Sequence, residues 1–340
     1  MTNKAGKRNA ALAAALLVAG YVLGWKYPVA FHGAATQAAE AGSRQVPIMA
    51  QEAAAPPTAD KRVVVAAVQC PSAFGDPTAN RSRLCGLVRE AAGHGAKIIV
   101  LPEAAISGYV SQDQHVIWHK EGKPLEDCFE GCSPELVAEF VPGESTRQFG
   151  ALAKELGVYV TVPFVERAAS SEECDNDQFF NTVCLVSPKG EIVAHYRKLH
   201  PYPPDEQSWA TGGDLGIQTC ETEYGRVGLA ICYDIHFALD DYRNSGVWAL
   251  LYSSCWTWGE HPADWFWHEL PRRISAFHHY FVGANWSVDA PQPWRGYGFS
   301  EIIDPDGRIL ACAHSVYGSE IVYAELETSP PGRLPDPAKL

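Results

Sequence analysis

Residues 63–68 read VVVAAV, a continuous apolar run rich in β-branched side chains. Such a run predicts a buried strand. Residues 78–94 follow with apolar side chains at helical spacing, among them Leu84 and Val88, and glycines near the end predict where the helix stops. Residues 97–101, KIIVL, predict the next buried strand. Strand, helix and strand in this order predict a layered α/β domain.

The same alternation continues along the chain and predicts two sheets packed face to face with helices outside. Two polar, cysteine-bearing stretches, residues 112–141 and 167–179, break the rhythm and are typical of inserted lid segments. The remaining predicted elements are helices at 144–156, 237–245 and 264–279, a hairpin of 181–186 and 191–197, and strands at 158–164, 226–231, 248–252, 281–286, 298–303 and 316–326.

Composition sets limits on partners. The 340-residue chain is 46% hydrophobic and 20% charged, which is ordinary for a globular protein with a substantial core. Its formal net charge is −13. Because neutralising phosphates requires a basic surface, we expect no nucleic-acid partner.

The N-terminus carries a basic segment and then an apolar one. Lys4, Lys7 and Arg8 precede the apolar residues 10–23. This order is typical of a signal anchor or signal peptide and predicts contact with a membrane, with the basic end in the cytoplasm. The A-x-A match at residues 39–41 lies well past the apolar run, which favours an uncleaved anchor. We therefore expect the folded part in the periplasm or extracellular space, and secretion after cleavage is the alternative.

Four parts of the chain differ in composition. Residues 34–60 are rich in Ala, Gln, Glu and Pro, which predicts a flexible linker that does not fold. The predicted parts are a signal anchor or signal peptide at residues 1–30, the linker at 31–60, one folded domain at 61–328 and a C-terminal tail at 329–340.

The ten cysteines raise the question of disulfides and metals. Export would permit disulfides, and Cys128, Cys132 and Cys174 lie in the polar insertions, but their pairing does not follow from the sequence. Cys128 and Cys132 have the spacing of half a zinc site, yet no second Cys/His pair at a matching spacing follows them. We expect neither a metal site nor another cofactor.

Four reactive side chains lie at or near predicted strand ends. Glu103 follows the strand KIIVL, Lys198 follows the hairpin, Glu206 comes eight residues later, and Cys232 follows the strand at 226–231. Sites gather where strands end because the loops there are free to vary. Each residue alone fits a solvated turn, a surface lysine or a small buried thiol equally well.

Together the four residues suit amide chemistry. An amide carbonyl is a poor electrophile, and a thiol with a pKa of about 8.5 is only slightly ionised at neutral pH. A nearby Lys198 favours the Cys232 thiolate, and Glu103 can accept its proton and return it to the leaving amine. The developing oxyanion needs a fixed positive group, for which Lys198 and the backbone N–H of Tyr233 are candidates.

Several motifs occur in register and resemble the nitrilase (carbon–nitrogen hydrolase) superfamily, amidase-like branch. The resemblance covers residues 63–326, nearly the whole folded part. The matching motifs are LPE at 101–103, GY at 108–109, VPG at 141–143, NT at 181–182, YRKLH at 196–200, GG at 212–213, CYD at 232–234 and DPDG at 304–307.

The resemblance implies a four-layer αββα sandwich that forms homo-oligomers. It implies hydrolysis of a non-peptide carbon–nitrogen bond in a small-molecule amide, through a thioester on Cys232. In this scheme Glu103 is the general base, Lys198 stabilises the tetrahedral intermediate, and Glu206 holds or polarises that end of the site.

The sequence departs from the family pattern just after the nucleophile. His236 stands where many amidase-like members have Arg, and the Tyr-Asp pair after Cys232 favours amides over nitriles. Nitrile hydrolysis and N-acyl transfer to an amine are the alternative reactions. The residues expected to contact substrate are Tyr109, Tyr233, His236, Trp256 and Trp258.

Histidines offer two further hypotheses. His200 and His236 lie near the motifs, and a Cys–His dyad with Cys232 is the alternative hypothesis, but the set of two Glu and one Lys explains more residues. His261, His268, His278 and His279 do not have a spacing that brings four metal ligands together, so we interpret them as ordinary core or surface residues.

Overall fold

A computed structural model describes residues 62–73, 75–108, 119–120, 123–124, 134–169, 177–203, 206–256, 262–287 and 298–329. The predicted N-terminal anchor and linker, the C-terminal tail, and the disulfide candidates Cys128, Cys132 and Cys174 lie outside these residues. Among the helices of the described part, none is long and apolar enough to cross a membrane.

Fourteen strands are found in the described residues, and twelve of them form two six-stranded sheets. The strands are β1 Arg62–Gln69, β2 Ile98–Val100, β3 His119–Lys120, β4 Lys123–Pro124, β5 Tyr159–Ala168, β6 Gln178–Val186, β7 Ile192–Arg197, β8 Thr219–Glu221, β9 Arg226–Ile231, β10 Ala249–Ser253, β11 Tyr280–Ala284, β12 Glu301–Ile303, β13 Ile309–Cys312 and β14 Glu320–Glu327.

The two sheets have related topologies. The first has the order β14-β1-β2-β5-β6-β7 and the second β13-β12-β11-β10-β9-β8, while β3 and β4 pair with each other. The inner strands β1, β2 and β5 run parallel, as do β9, β10 and β11. Antiparallel strands complete each sheet on both sides. Parallel strands bring their carboxyl ends to one edge, where loops can gather reactive side chains.

Helices connect the strands and begin and end at recognisable residues. In the first helix, Pro77 occupies the first turn and the Asp76 side chain accepts a hydrogen bond from the backbone of Ala79 at 3.0 Å. The helices are α1 Pro77–Gly93, α2 Pro134–Val137, α3 Glu144–Leu156, α4 Ala238–Tyr242, α5 Pro262–Asp264 and α6 Leu270–Phe277, with a π-helical turn Trp265–Glu269 between the last two.

Three apolar clusters show how the layers pack. The cluster between the sheets contains Val65 and Tyr196 from the first sheet and Leu229 from the second. The outer face of the first sheet packs against α1 and α3. The outer face of the second sheet packs against α4 and α6, for example at Ile274. The order helix, sheet, sheet, helix is the predicted αββα sandwich.

The predicted elements differ from the structure mainly in three places. The helix expected at 237–245 is a 3₁₀ turn, Cys232–His236, followed by the short α4. The helix expected at 264–279 is interrupted by the π-helical turn and ends at Phe277, because His278 has a left-handed backbone with φ of 55°. The strands β8 and β13 were not predicted, since three or four residues carry too little alternation.

Candidate active site

Cys232 lies at a strained junction between β9 and the 3₁₀ turn. Its φ is 42°, a left-handed conformation that is uncommon for a residue with a side chain. The Tyr252 hydroxyl donates to the carbonyl of Cys232 at 2.9 Å. The sulfur lies 4.0 Å from the carbonyl oxygen of Cys255. The strand end and the turn together fix where the thiol sits, and this kind of strain is common at reactive residues.

Glu103 is completely buried just after β2 and the two residues that follow it. Its Oε2 accepts a hydrogen bond from the backbone N–H of Cys255 at 2.7 Å. Its backbone carbonyl accepts one from the indole N–H of Trp286 at 2.6 Å. Both contacts come from residues of the second sheet or the loops after it, so Glu103 is held at the seam between the two sheets.

Lys198 connects the two carboxylates. Its Nζ donates to Oε1 of Glu103 at 2.7 Å and also to Oε2 of Glu206. Glu206 opens a short 3₁₀ turn, and its Oε2 also accepts from the backbone N–H of Tyr202 at 2.7 Å. Lys198 is 1% exposed, so its charge is neutralised by carboxylates rather than by water.

Asn181 completes this cluster and was not predicted as a site residue. It lies on β6, and its Nδ2 donates to Oε1 of Glu103 at 2.7 Å and to Oε1 of Glu206 at 2.5 Å. The sequence signals for such a role were its place in the NT motif at 181–182 and a polar side chain in a mostly apolar strand. The backbone N–H groups of Tyr202 and Cys255 were also not predicted, because main-chain donors leave no mark in a sequence.

Burial and charge set the protonation of the cluster. Burial raises the pKa of the Cys232 thiol, the nearby Glu103 charge raises it further, and Lys198 opposes both. For Lys198, burial works against the charged form but the Glu103 and Glu206 carboxylates outweigh it, so its pKa is raised and it stays an ammonium. Burial also raises the pKa of Glu206. The thiol is therefore protonated at rest, and its attack requires a base.

Another carboxylate, besides Glu103 and Glu206, lies on the turn that carries Cys232. Asp234 is buried, and it accepts hydrogen bonds from the Tyr196 hydroxyl at 2.7 Å and from the backbone N–H of His200 at 2.9 Å. A ring nitrogen of His200 is 3.0 Å from the same carboxylate, which raises the pKa of His200. These contacts tie the loop after β7 to the turn that carries the thiol.

The predicted substrate contacts fall into two groups. Tyr233, His236 and Trp256 lie together, with the His236 ring 5.3 Å from Tyr233 and 5.8 Å from Trp256. Tyr109 and Trp258 lie outside the described residues. Trp265 was not singled out from the sequence, yet its ring stacks on Trp256 at 4.9 Å.

Neither histidine of the dyad hypothesis has the nucleophile as its partner in the contacts described here. His200 pairs with Asp234 and stacks on Phe237 at 4.3 Å. His236 lies among aromatic rings, and burial lowers its pKa to about 4. Within the residues that the structure describes, no group of three His, Cys, Asp or Glu side chains is arranged to hold a metal ion.

Sequence and structure comparisons place this arrangement among known proteins. The sequence model of the carbon–nitrogen hydrolase family matches residues 64–330. Human omega-amidase NIT2 is 32% identical over 262 residues, covering 73% of this chain and 83% of the relative. The same enzyme from Danio rerio is 31% identical over 261 residues, covering 73% and 82%.

Solved structures share the fold. Nit3 of Saccharomyces cerevisiae, a member of the nitrilase superfamily, superposes with a TM-score of 0.61 at 25% identity, covering 81% of this chain and 93% of Nit3. A cysteine-to-alanine variant of an amidase from Nesterenkonia sp. AN1, in complex with butyramide, has a TM-score of 0.59 at 20% identity, covering 78% and 91%. The chain belongs to the carbon–nitrogen hydrolase family of the nitrilase superfamily, in its amidase-like branch.

Proposed function

We propose that this protein hydrolyses the carbon–nitrogen bond of a small-molecule amide through a thioester on Cys232. The observation that carries the proposal is the buried cluster of Glu103, Lys198 and Glu206 beside a thiol held at a strained strand end. Its relatives include enzymes named omega-amidase, and its structural neighbours include an amidase with bound butyramide.

The first half of the reaction forms the acyl-enzyme. Glu103 takes the proton of the Cys232 thiol as the sulfur attacks the amide carbonyl, because a buried neutral thiol is a weak nucleophile. Negative charge then develops on the carbonyl oxygen, and the buried Lys198 ammonium stabilises it. Glu103 returns the proton to the amine, the carbon–nitrogen bond breaks, and the amine leaves.

The second half releases the acid. Glu103, again a carboxylate, takes a proton from a water molecule that attacks the thioester carbonyl. The carbon–sulfur bond breaks, and the thiol of Cys232 recovers its proton. Glu206 touches Lys198 and holds its ammonium in place through both steps, so it acts as a positioning residue. An amine in place of water would give N-acyl transfer by the same intermediate.

A panel of matched substrates tests this function. We expect ammonia release from simple amides, loss of at least about a thousandfold in kcat for Cys232→Ala, and little change for Cys85→Ser, a half-buried thiol on α1. Matched nitriles should react far more slowly than amides. If nitriles react as fast as amides, nitrile hydrolysis is the function instead. If the enzyme transfers acyl groups, adding hydroxylamine as the accepting amine should give an N-acylated product.

The membrane anchor is a separate proposal that rests on the sequence. Lys4, Lys7 and Arg8 precede the apolar residues 10–23, and residues 31–60 would tether the domain at 61–328 outside the cytoplasmic membrane. Fractionation and mapping of the N-terminus test it. An intact chain in the soluble cytoplasm would contradict it, and a mature N-terminus near residue 42 would show a cleaved signal peptide.

Homo-oligomer formation is likewise proposed from the family resemblance alone. Light scattering of the purified protein across a concentration series tests it. A mass of one chain at all concentrations would contradict it.

A further inference from the structure

Four half-buried rings contact one another, two of them on the turn that begins at Cys232, and we call Tyr233, His236, Trp256 and Trp265 the aromatic box. Trp256 and Trp265 stack with their centroids 4.9 Å apart and 19° between their planes. The His236 ring is 5.0 Å from Trp265 and 5.8 Å from Trp256, and Tyr233 meets it edge-on at 5.3 Å. Such offset and edge contacts fix aromatic rings in place.

The aromatic box is attached to the nucleophile on two sides. Tyr233 and His236 belong to the same 3₁₀ turn as Cys232. Trp256 directly follows Cys255, whose carbonyl oxygen is 4.0 Å from the Cys232 sulfur. The chain therefore connects the box directly to Cys232 and to the residue that its sulfur contacts.

The π-helical turn carries two tryptophans in different surroundings, and only Trp265 belongs to the box. Trp265 is the first residue of this turn, and the wider turn rotates the side chains after it relative to an α-helix. Trp265 faces Trp256, whereas Trp267 is 50% exposed and lies against Phe299. Short π-helical turns inside helices are frequent at functional sites.

Within the described part of the chain, the positive charges near the box are paired with carboxylates. The guanidinium carbon of Arg273 is 5.0 Å from the centre of the Trp265 ring, but its Nε is 2.8 Å from a carboxylate oxygen of Glu269. His200 is paired with Asp234. Burial, reinforced by the nearby Arg273, lowers the pKa of His236 to about 4, so His236 is neutral at physiological pH.

Two box residues each have a buried polar ring atom. Nε1 of Trp265 and Nδ1 of His236 are buried, and among the described residues they have no hydrogen-bond partner. These two polar atoms are therefore not on the exposed surface of the box.

Building on the amide hydrolysis proposed above, on which this step rests, we infer that the aromatic box binds the acyl part of the substrate and that this acyl group is uncharged and largely hydrocarbon. Ring faces carry partial negative charge and disfavour an anion. A carboxylate brought against them loses water, and among the residues that the structure describes it gains no unpaired cation near the box, so that loss is costly. A hydrocarbon acyl group is stabilised by the same contact, because the contact removes its apolar surface from water.

Three amides of similar length test the inference on the full-length enzyme. Pentanamide is uncharged, the diamide of glutaric acid is uncharged but polar, and the half-amide of glutaric acid has the size of the diamide and one carboxylate. We expect pentanamide to have the highest kcat/KM, and the half-amide to be at least about tenfold below the diamide. Equal or better turnover of the half-amide would overturn the inference.

Matched variants assign the selectivity to the box. Trp265→Ala should raise KM for pentanamide about tenfold, whereas Trp267→Ala, on the same turn but outside the box, should leave it unchanged. Thermal unfolding checks both variants, and Trp265→Leu replaces Trp265→Ala if the latter does not fold. His236→Arg adds a cation and should reduce the difference in kcat/KM between the half-amide and the diamide. The inference would be contradicted if the two tryptophan variants changed KM for pentanamide equally. It would also be contradicted if His236→Arg left the difference in kcat/KM between half-amide and diamide unchanged.

The proposed amide hydrolysis and the role of the aromatic box are tested by different outcomes. If no amide is hydrolysed and Cys232 takes up no acyl group, the proposed function is wrong. If amides are hydrolysed but the carboxylated substrate is preferred, only the assignment of the aromatic box is wrong.

Discussion

The Nδ2 of Asn181 lies 2.7 Å from Oε1 of Glu103. The same nitrogen also donates to Glu206, so one neutral amide holds two carboxylates next to each other. Lys198 makes the same pair of contacts with a positive charge. The Glu103 and Glu206 carboxylates repel each other, and the hydrogen bonds from Asn181 and Lys198 together offset that repulsion.

Replacing Asn181 with Asp keeps the shape of the side chain but removes the donor and adds a third carboxylate. We expect kcat to fall about ten- to a hundredfold, since a hydrogen bond to a charged group contributes about 1.5–3 kcal/mol. The pH profile of kcat/KM should also shift, because the carboxylates it touches lose a donor. Steady-state kinetics from pH 5 to 9 measures both effects.

The neighbouring Thr182 provides the control for this prediction. It also lies on β6, but its hydroxyl donates to Glu166 and not to the cluster. Thr182→Ser should retain the wild-type pH profile. A wild-type rate and pH profile for Asn181→Asp would show that Asn181 has no positioning role.

Several of these residues could be predicted from the sequence, and the reasons are physical. Glu103, Lys198 and Cys232 each follow a strongly apolar or hairpin strand, so their meeting at strand ends follows from the layered fold. Asn181 lies in the NT motif at 181–182, but its contacts with Glu103 and Glu206 could not be predicted because these partners are distant in sequence. Trp265 is one of several tryptophans in this part of the sequence. The π-helical turn that begins at Trp265 cannot be predicted from the apolar periodicity.

Glu301 on β12 is buried, and in the described part of the chain neither of its carboxylate oxygens has a hydrogen-bond partner. Burial raises its pKa well above that of an unfolded Glu. The folded protein therefore binds this proton more tightly, so the stability that depends on it is lost as the pH rises above the unfolded pKa of about 4.3.

We accordingly expect Glu301→Gln to be more stable than wild type at pH 8, by about 1–3 kcal/mol, with a smaller difference at pH 4.5. Urea unfolding at both pH values measures the difference. The control is Glu325→Gln on β14, whose side chain is 62% exposed. A stability difference that does not grow with pH would contradict the role given to burial.

The pKa of Glu166 is shifted in the opposite direction to that of Glu301. Burial alone would raise its pKa, but hydrogen bonds from His195, Arg197 and Thr182 outweigh burial and hold the pKa at about 2. An unfolded Glu titrates near 4.3, so the stabilising contribution is present above that pH and is lost as the pH falls towards 2. Melting temperatures of wild type and Glu166→Gln should differ most at pH 6 and converge towards pH 3. The exposed Glu191, changed to Gln, should show no such convergence.

Intact-mass spectrometry of the enzyme quenched in acid during amide turnover tests the central claim most directly. The account predicts a mass increase equal to the acyl group of the substrate, located on the peptide that contains Cys232, formed as the amine is released and absent from Cys232→Ala. Amide turnover that persists at the wild-type rate in Cys232→Ala, without any acyl adduct in either protein, would contradict it.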